Sequence, residues 1–505
     1  MKHTIKMLPG ECWWCGSVRD AHEMPYTERS DCFFDLDGSR DQFAPLLLSN
    51  KGRYVHSACS FNGRIKDGII CLEGKADFEV GDGYGDLRGA YLAAMQAFFP
   101  FENKLPHSLF WTAAQYNTWI ELGVEQTTEN ILRYARGILA NGCKPGVLMI
   151  DEGWQLSYGK FEFNRNNIPD PKALLDELHA MGFKVILWIT PLVSCADPYF
   201  CDLCDAGYLL KNKNGEIALR KWWQGYSAVF DLSNPKAAAY YHNGLRYLME
   251  TYGADGFKFD AGDLYFYDDA DQTAGNVSAR EQTSVFNALG AQYELNEFRS
   301  CWNFGGRPIV ARLHDKSPVW DGGNGLDTLV PHTVAQGLAG YAYCCPDMVG
   351  GGTRGEFVAL RNVDEELFVR WAQANAFMPM MQISAAPWRV LSAENAQRVL
   401  AAIQLHEQYG EVFYALARKA AATGEPIVRH MDYVFPDEGF ETDNTQFMVG
   451  NDLMVAPVLQ KGCIARNVHF PQGTWCDNNG NTYEGNQTLS LSADLNSVLY
   501  FTKVK

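Results

Sequence analysis

The sequence predicts an α/β protein: a (β/α)8 TIM barrel with an N-terminal β-sandwich-like domain and a C-terminal β domain. Three observations carry this. In the middle of the chain, short continuous apolar runs alternate with amphipathic helical stretches, the pattern of a parallel sheet covered on both faces. Several such units fall within about 300 residues, which favours closure into a barrel. On either side the rhythm changes to short runs separated by Gly and Asn turns.

The elements follow in order. Residues 1–105 carry turn signals and alternating runs such as Gly52-Arg53-Tyr54-Val55-His56 and Ile69–Gly74, read as an antiparallel β domain. The barrel is assigned to residues 106–415. Its apolar strands are read at Gly146–Asp151, Phe183–Ile189, Asp255–Asp260 and Pro308–Arg312. Helices are read at Pro171–Met181, with Leu174, Leu175, Leu178 and Met181 on one face, and at Ala237–Tyr252. A helical stretch covers Ala393–Ala422. Residues 416–505 return to short strands at Phe447–Gly450, Leu453–Val458 and Val498–Phe501.

Composition narrows the function classes. The 505 residues are 47% hydrophobic and 20% charged, so the chain is globular rather than disordered. Its net charge of −17 repels phosphate backbones and argues against nucleic acid as a partner. The opening MKHTIKMLPGECWW lacks the apolar core of a signal peptide, and no long apolar run suggests a membrane span. The expectation is a soluble cytoplasmic protein whose 14 cysteines stay reduced. Cys12/Cys15 and Cys201/Cys204 have CxxC spacing but lie far apart in sequence, so no metal site and no cofactor are expected.

In a parallel barrel, polar residues at the C-terminal strand ends face the active-site mouth. Those ends are read as Asp151, Glu152 and Trp154; Trp188; Lys258 and Asp260; Arg312, His314 and Asp315; and Asp347. Metal chemistry would want clustered histidines, and only His314 belongs to this set. Phosphate chemistry could use Gly350–Gly352, but Asp347 before it would repel phosphate. A strand-end Asp can also simply cap a helix. Acids at so many strand ends, beside Trp, Lys and Arg, suit glycoside hydrolysis better, because it needs two carboxyls astride one bond.

The chain resembles glycoside hydrolase family 31 over nearly its whole length. DGFKFDAGD (255–263) is similar to that family's nucleophile motif. SNKGRYVHS (49–57), QYNTWIEL (115–122), MIDEGWQLSYGKFEFN (149–164), GFKVILWITP (182–191) and RKWWQGYSAVFDLSNP (220–235) match further segments. TGEPIVRHMDYVFPD (423–437) and DLMVAPV (452–458) resemble the family's C-terminal β domain. VPHTVAQGLAGYAYCCPDMVGG (330–351) and MQISAAPW (381–388) place it nearest the subgroup of myogenesis-regulating glycosidase and bacterial α-galactosidases.

The resemblance implies a retaining exo-α-glycosidase, α-galactosidase-like, acting on oligosaccharides or glycosides. Asp260 would be the nucleophile and Asp315 the acid/base, with Asp321 in VWDGG as the competing choice. Lys258 would help keep Asp260 ionised, and Arg312 would bond a substrate hydroxyl or the nucleophile. Asp151 and Glu152 would bind sugar hydroxyls. Trp154, Trp188, Trp223 and Trp388 are candidates for the apolar wall. Asp347 would orient a hydroxyl or support Arg312. Family α-glucosidases tend to carry Arg-Asn-His where this chain has Gln382-Ile383-Ser384, which points to another sugar. Arg220-Lys221 supplies cations as sulfoquinovosidases require, without favouring a sulfonated sugar. α-Glucosidase or α-xylosidase activity, transglycosylation and a sugar-binding protein without catalysis stay open. So does a homo-oligomer, since the N-terminal domain is short and a partner subunit could complete the pocket rim.

Overall fold

The computed structural model describes residues 1–36, 41–359 and 362–504. At its centre run eight parallel strands: β1 Gln115–Asn117, β2 Val147–Ile150, β3 Lys184–Ile189, β4 Gly256–Phe259, β5 Asn296–Phe298, β6 Ala311–Arg312, β7 Cys344–Cys345 and β8 Gln382–Ile383. Neighbours follow chain order from β1 to β7, and β8 returns beside β1. The ring closes where Met348 bridges Gln382 in parallel and the Val349 N–H donates to the Gln382 carbonyl at 2.8 Å.

The long strands β2 and β3 are the apolar runs, and their residues from Val147 to Ile150 and Val185 to Ile189 are all buried. The short ones carry polar side chains: Asn117, Glu297, Arg312 and Gln382 are buried in β1, β5, β6 and β8. They lack an apolar run, and for that reason the hydrophobic pattern identifies β2, β3 and β4 but misses β1, β5, β7 and β8. The strand ending at Asp151 is therefore the second of the barrel. The run Pro308–Arg312 shrinks to Ala311–Arg312, because the Asn296 amide takes the Pro308 carbonyl and the Val310 N–H, both at 3.0 Å.

The covering helices are α1 Thr128–Ala140, α2 Pro171–Ala180, α3 Pro235–Tyr252, α4 Ala279–Gly290, α5 Leu329–Leu338, α6 Glu365–Asn375, α7 Ala393–Gln408 and α8 Gly410–Thr423. Their starts are chemically marked. Asp170 and Asn234 cap α2 and α3 ahead of Pro171 and Pro235, and Ser278 with Glu281 forms a capping box on α4. The helical stretch Ala393–Ala422 is two helices that meet at Tyr409. A Cβ on Gly410 would sit 2.8 Å from the Thr112 Cα, so this turn must come close to the chain entering the barrel. Among the described residues no helix is long and apolar enough to cross a membrane.

No helix links β5 to β6. Cys301–Trp302 instead runs parallel to Gln42–Phe43, at the start of the N-terminal strand Gln42–Ser49. That strand belongs to a five-stranded sheet, and a four-stranded sheet of Lys2–Lys6, Ile69–Gly74, Phe61–Lys66 and Cys32–Asp35 completes the N-terminal part. The C-terminal part has a six-stranded sheet and a two-stranded ribbon, packed around Phe435, Phe470, Trp475 and Phe501.

The N-terminal sheet is thus joined to the barrel by backbone pairing, and Gln42 strengthens the joint. Its amide donates to the carbonyls of Arg299 and Arg312, and its carbonyl accepts from Gln336. Gln42→Ala would leave buried acceptors unpaired, and each costs about 1–3 kcal/mol. The expected result is a loss of about 2–4 kcal/mol, read as a lower denaturant midpoint at an unchanged m-value.

Candidate active site

A cavity of about 510 Å³ opens at the C-terminal ends of the strands. Trp119 follows β1; Asp151 and Glu152 follow β2; Trp188 lies in β3; Lys258 and Asp260 belong to β4 and its end; Arg299 follows β5; Asp315 follows β6; Thr353 and Arg354 follow β7. Trp222, Trp223 and Gln224, from a hairpin after β3, form the rim.

The chain turns sharply after Asp260. Ala261 and Gly262 both have positive φ, 59° and 72°, and Ala261 is buried. A non-glycine residue in that region is strained and must be held by its surroundings. The turn brings Asp260 to the cavity floor.

The two oxygens of Asp260 are not equivalent. Oδ2 accepts from the Trp188 indole N–H at 2.8 Å. Oδ1 is buried without a hydrogen bond, although Arg299 Nε lies at 3.3 Å and Arg312 Nη2 at 3.8 Å. Burial would raise the pKa of this carboxyl, but the charges of Arg299, Lys258 and Arg312, with the Trp188 bond, outweigh it and hold the group well below the usual carboxylate range. Asp260 is an ionised carboxylate with Oδ2 bound to an indole and Oδ1 facing two guanidinium groups.

Arg312 links the acids. Nη1 meets Asp315 Oδ1 at 3.0 Å and Asp347 Oδ1 at 2.7 Å; Nε lies 3.2 Å from Glu297 Oε1; Nη2 faces Asp260. Asp347 is fully buried, with φ 71°, and also accepts from the Lys316 N–H at 2.8 Å. A Cβ on Gly352 would meet Asp347 Oδ2 at 2.6 Å, so only glycine fits over that carboxylate. Lys258 Nζ is bound to Asp151 Oδ2 at 2.7 Å and acts on Asp260 through its charge.

Glu152 is the opposite of Asp260. Burial, then the charges of Asp151 and Asp260, push its pKa up to about 9, so it is a neutral acid at pH 7. Its Oε1 accepts from the Tyr158 hydroxyl.

Comparison with known proteins places this barrel. Residues 111–416 match the model of the glycosyl hydrolases family 31 TIM-barrel domain, and residues 424–504 match that family's C-terminal domain. The chain belongs to glycosyl hydrolase family 31. Myogenesis-regulating glycosidase of Mus musculus is 29% identical over 430 residues, covering 83% of this chain and 60% of the relative. Alpha-glucosidase 2 of Bacillus thermoamyloliquefaciens is 25% identical, covering 75% of this chain and 51% of the relative. The chain thus spans about half to three-fifths of the length of these relatives. A family 31 dextranase of Flavobacterium johnsoniae complexed with glucose shares the fold, with TM-score 0.86, 19% identity and coverage of 99% of this chain and 66% of that one.

Within this family 31 barrel the structure sorts the residues picked from sequence. Asp151, Glu152, Trp188, Trp223, Lys258, Asp260 and Asp315 line one cavity. Arg312 and Asp347 are buried beneath it. Two expected wall residues lie elsewhere. Trp154 is fully buried behind Trp188, donating its indole N–H to the Trp188 carbonyl at 2.8 Å. Trp388 packs outside the barrel against Gly137 of α1. Asp321 is exposed and outside the cavity lining. Trp119 and Trp222 take the wall positions instead.

Arg299 and Glu297 were not legible in the sequence, and Asp263 closes the DGFKFDAGD segment. Arg299 bonds Asp263 and lies 5.9 Å over the Trp222 ring. It stands one residue beyond a three-residue strand that has no apolar run. Asp41 and Lys316 were missed as well. Asp41 pairs with His314 at 3.1 Å, and the buried Lys316 Nζ bonds Thr328 and His332, burial lowering its pKa to about 8.

Glu152 gives a stability test. Its folded-state pKa lies above the unfolded value, so its favourable contribution is complete below about pH 4.5 and disappears as pH rises through about 9. Glu152→Gln removes this titration. Its stability relative to wild type should rise steadily between pH 5 and pH 9, as read by denaturant midpoints across that range.

Proposed function

We propose that the chain is a retaining exo-α-glycosidase, α-galactosidase-like, with Asp260 as nucleophile and Asp315 as acid/base. The observation that carries the reading is the state of Asp260 at the cavity: an ionised carboxylate, held so by Arg299, Lys258 and Arg312, with Oδ2 accepting from the Trp188 indole. A carboxylate must be ionised to attack the anomeric carbon, and the flanking cations keep it so.

The first step forms a bond from an Asp260 carboxylate oxygen to the anomeric carbon. The bond from that carbon to the leaving oxygen breaks, and this oxygen takes the proton of Asp315. In the second step Asp315 takes a proton from water. The water oxygen bonds the anomeric carbon, and the ester to Asp260 breaks, with net retention. Arg312 lies between the two acids, 3.0 Å from Asp315 Oδ1 and 3.8 Å from Asp260 Oδ1, and orients both. The neutral Glu152 can donate to a sugar oxygen, whereas Asp151, bound by Lys258, accepts from a hydroxyl. Trp119, Trp188, Trp222 and Trp223 supply apolar faces for a pyranose ring.

The galactoside preference rests on β8. Gln382 donates to Glu297 at 2.7 Å inside the barrel, and the Ser384 hydroxyl donates to the Asn117 carbonyl at 2.8 Å. Neither lines the cavity, so the hydroxyl contact expected of a His there in α-glucosidases is missing. Relatives named alpha-glucosidase and alpha-xylosidase keep those sugars as the alternative outcome.

A panel of p-nitrophenyl α-glycosides tests the reading, with the α-galactoside expected to be cleaved fastest. Asp260→Asn should lower kcat by about 10³-fold or more. Asp315→Asn should lose about 10²–10⁴-fold on glycosides with poor leaving groups, and less on nitrophenyl substrates, whose departure needs little proton transfer. Asp321→Asn should stay close to wild type. Turnover that survives Asp315→Asn on every substrate but fails in Asp321→Asn would reverse the acid/base assignment.

A further inference from the structure

The cations at this cavity are engaged by carboxylates, with one exception. Lys258 holds Asp151, Arg299 holds Asp260 and Asp263, and Arg312 beneath the floor faces its own set of acids. Arg354 also lines the cavity, and among the described residues no carboxylate lies within ion-pair distance of it. Its Nε is buried without a hydrogen bond.

Packing, not pairing, holds this guanidinium in place. It lies 5.9 Å over the Trp119 ring, and Trp119 in turn meets Trp223 edge-on at 5.8 Å. On its other side is Gly123, where a Cβ would sit 2.3 Å from the Arg354 Cζ. A fixed, partly desolvated guanidinium with open donors is a bidentate receptor for a carboxylate or similar anion. In a chain of net charge −17, such a local cation counters the general repulsion of anionic ligands.

Its position in the chain says which end of a substrate it faces. The N–H groups of Gly352 and Thr353 both donate to the Lys316 carbonyl at 3.0 Å, and the Thr353 hydroxyl donates to the Asp315 carbonyl at 3.2 Å. Arg354 is the next residue, on a segment laced to the Asp315 loop. Asp315, in the reading above, protonates the leaving oxygen, so groups carried on its loop border the leaving group.

We infer that Arg354 recognises an anionic group on the aglycone, and that the substrate class is α-glycosides with an acidic leaving-group side. The inference rests on the retaining-glycosidase reading. It adds a charge requirement that this reading does not contain.

The test compares 4-carboxyphenyl and 4-carbamoylphenyl α-glycosides of the sugar found by the nitrophenyl panel, or of galactose if none is found. The two are close in shape and differ in charge. Wild type should favour the carboxylate by about tenfold or more in kcat/KM, the worth of one charge-assisted hydrogen bond. The preference should shrink as salt rises from about 50 to about 500 mM. Arg354→Gln should bring the ratio close to one, and Arg354→Lys should retain part of it. Thermal midpoints confirm that both variants fold, as expected for a half-buried side chain. A wild-type ratio of one, or a preference that persists in Arg354→Gln, overturns the inference and leaves the glycosidase reading intact, since both glycosides are then still hydrolysed. If neither is hydrolysed, that reading falls by itself. Calorimetric binding of the same pair to wild type and Arg354→Gln then decides, and equal affinities overturn the inference.

Discussion

Everything at the mouth of this barrel depends on one buried guanidinium. Arg312 sits inside the strand ring, with Asp315, Asp347 and Glu297 around it and Asp260 facing its far nitrogen. A buried cation is tolerated only when its charge is met and its donors are used. The acids in turn could not lie so close to one another without it. Arg312 therefore fixes where these carboxyls stand.

The polar interior has a structural consequence. Closed barrels are usually filled with branched apolar side chains in layers. Here the lower turns of β2 and β3 follow that rule, whereas Asn117, Lys258, Glu297, Arg312 and Gln382 occupy the upper layer. Gln382 ties Glu297 to the β8 side, and Lys258 ties β4 to Asp151 at the end of β2. The upper layer is a hydrogen-bonded and charged plug, and the cavity floor is its outer surface. The N-terminal sheet contributes to it through Gln42 and through Asp41 beside His314. The accessory domain is thus part of the wall behind the site.

The same residues show how far the sequence could be read. Asp151, Asp260 and Lys258 belong to or follow apolar strands of four residues or more, and there the strand pattern alone put them at the mouth. Arg299 and Trp119 lie just beyond strands of three residues, whose polar inward-facing side chains erase the apolar signal. Trp154 and Trp388 suit a sugar face by residue type alone. Tryptophan is equally a core residue, and nothing in the spacing says whether an indole points into the cavity or behind it. Arg354 follows a glycine run that reads only as a loop.

The sequence by itself determined the barrel class, the flanking β domains and the family, because alternating apolar runs and long matched motifs are local properties of the chain. It also marked the acids at the strand ends. The tertiary structure alone decided how the two oxygens of Asp260 are partnered, which Trp residues form the wall, and that Arg312 is shared while Arg354 is not. Those outcomes depend on distances between side chains brought together from strands far apart in the chain. Charge pairing is set by such distances, and spacing along a sequence does not encode them.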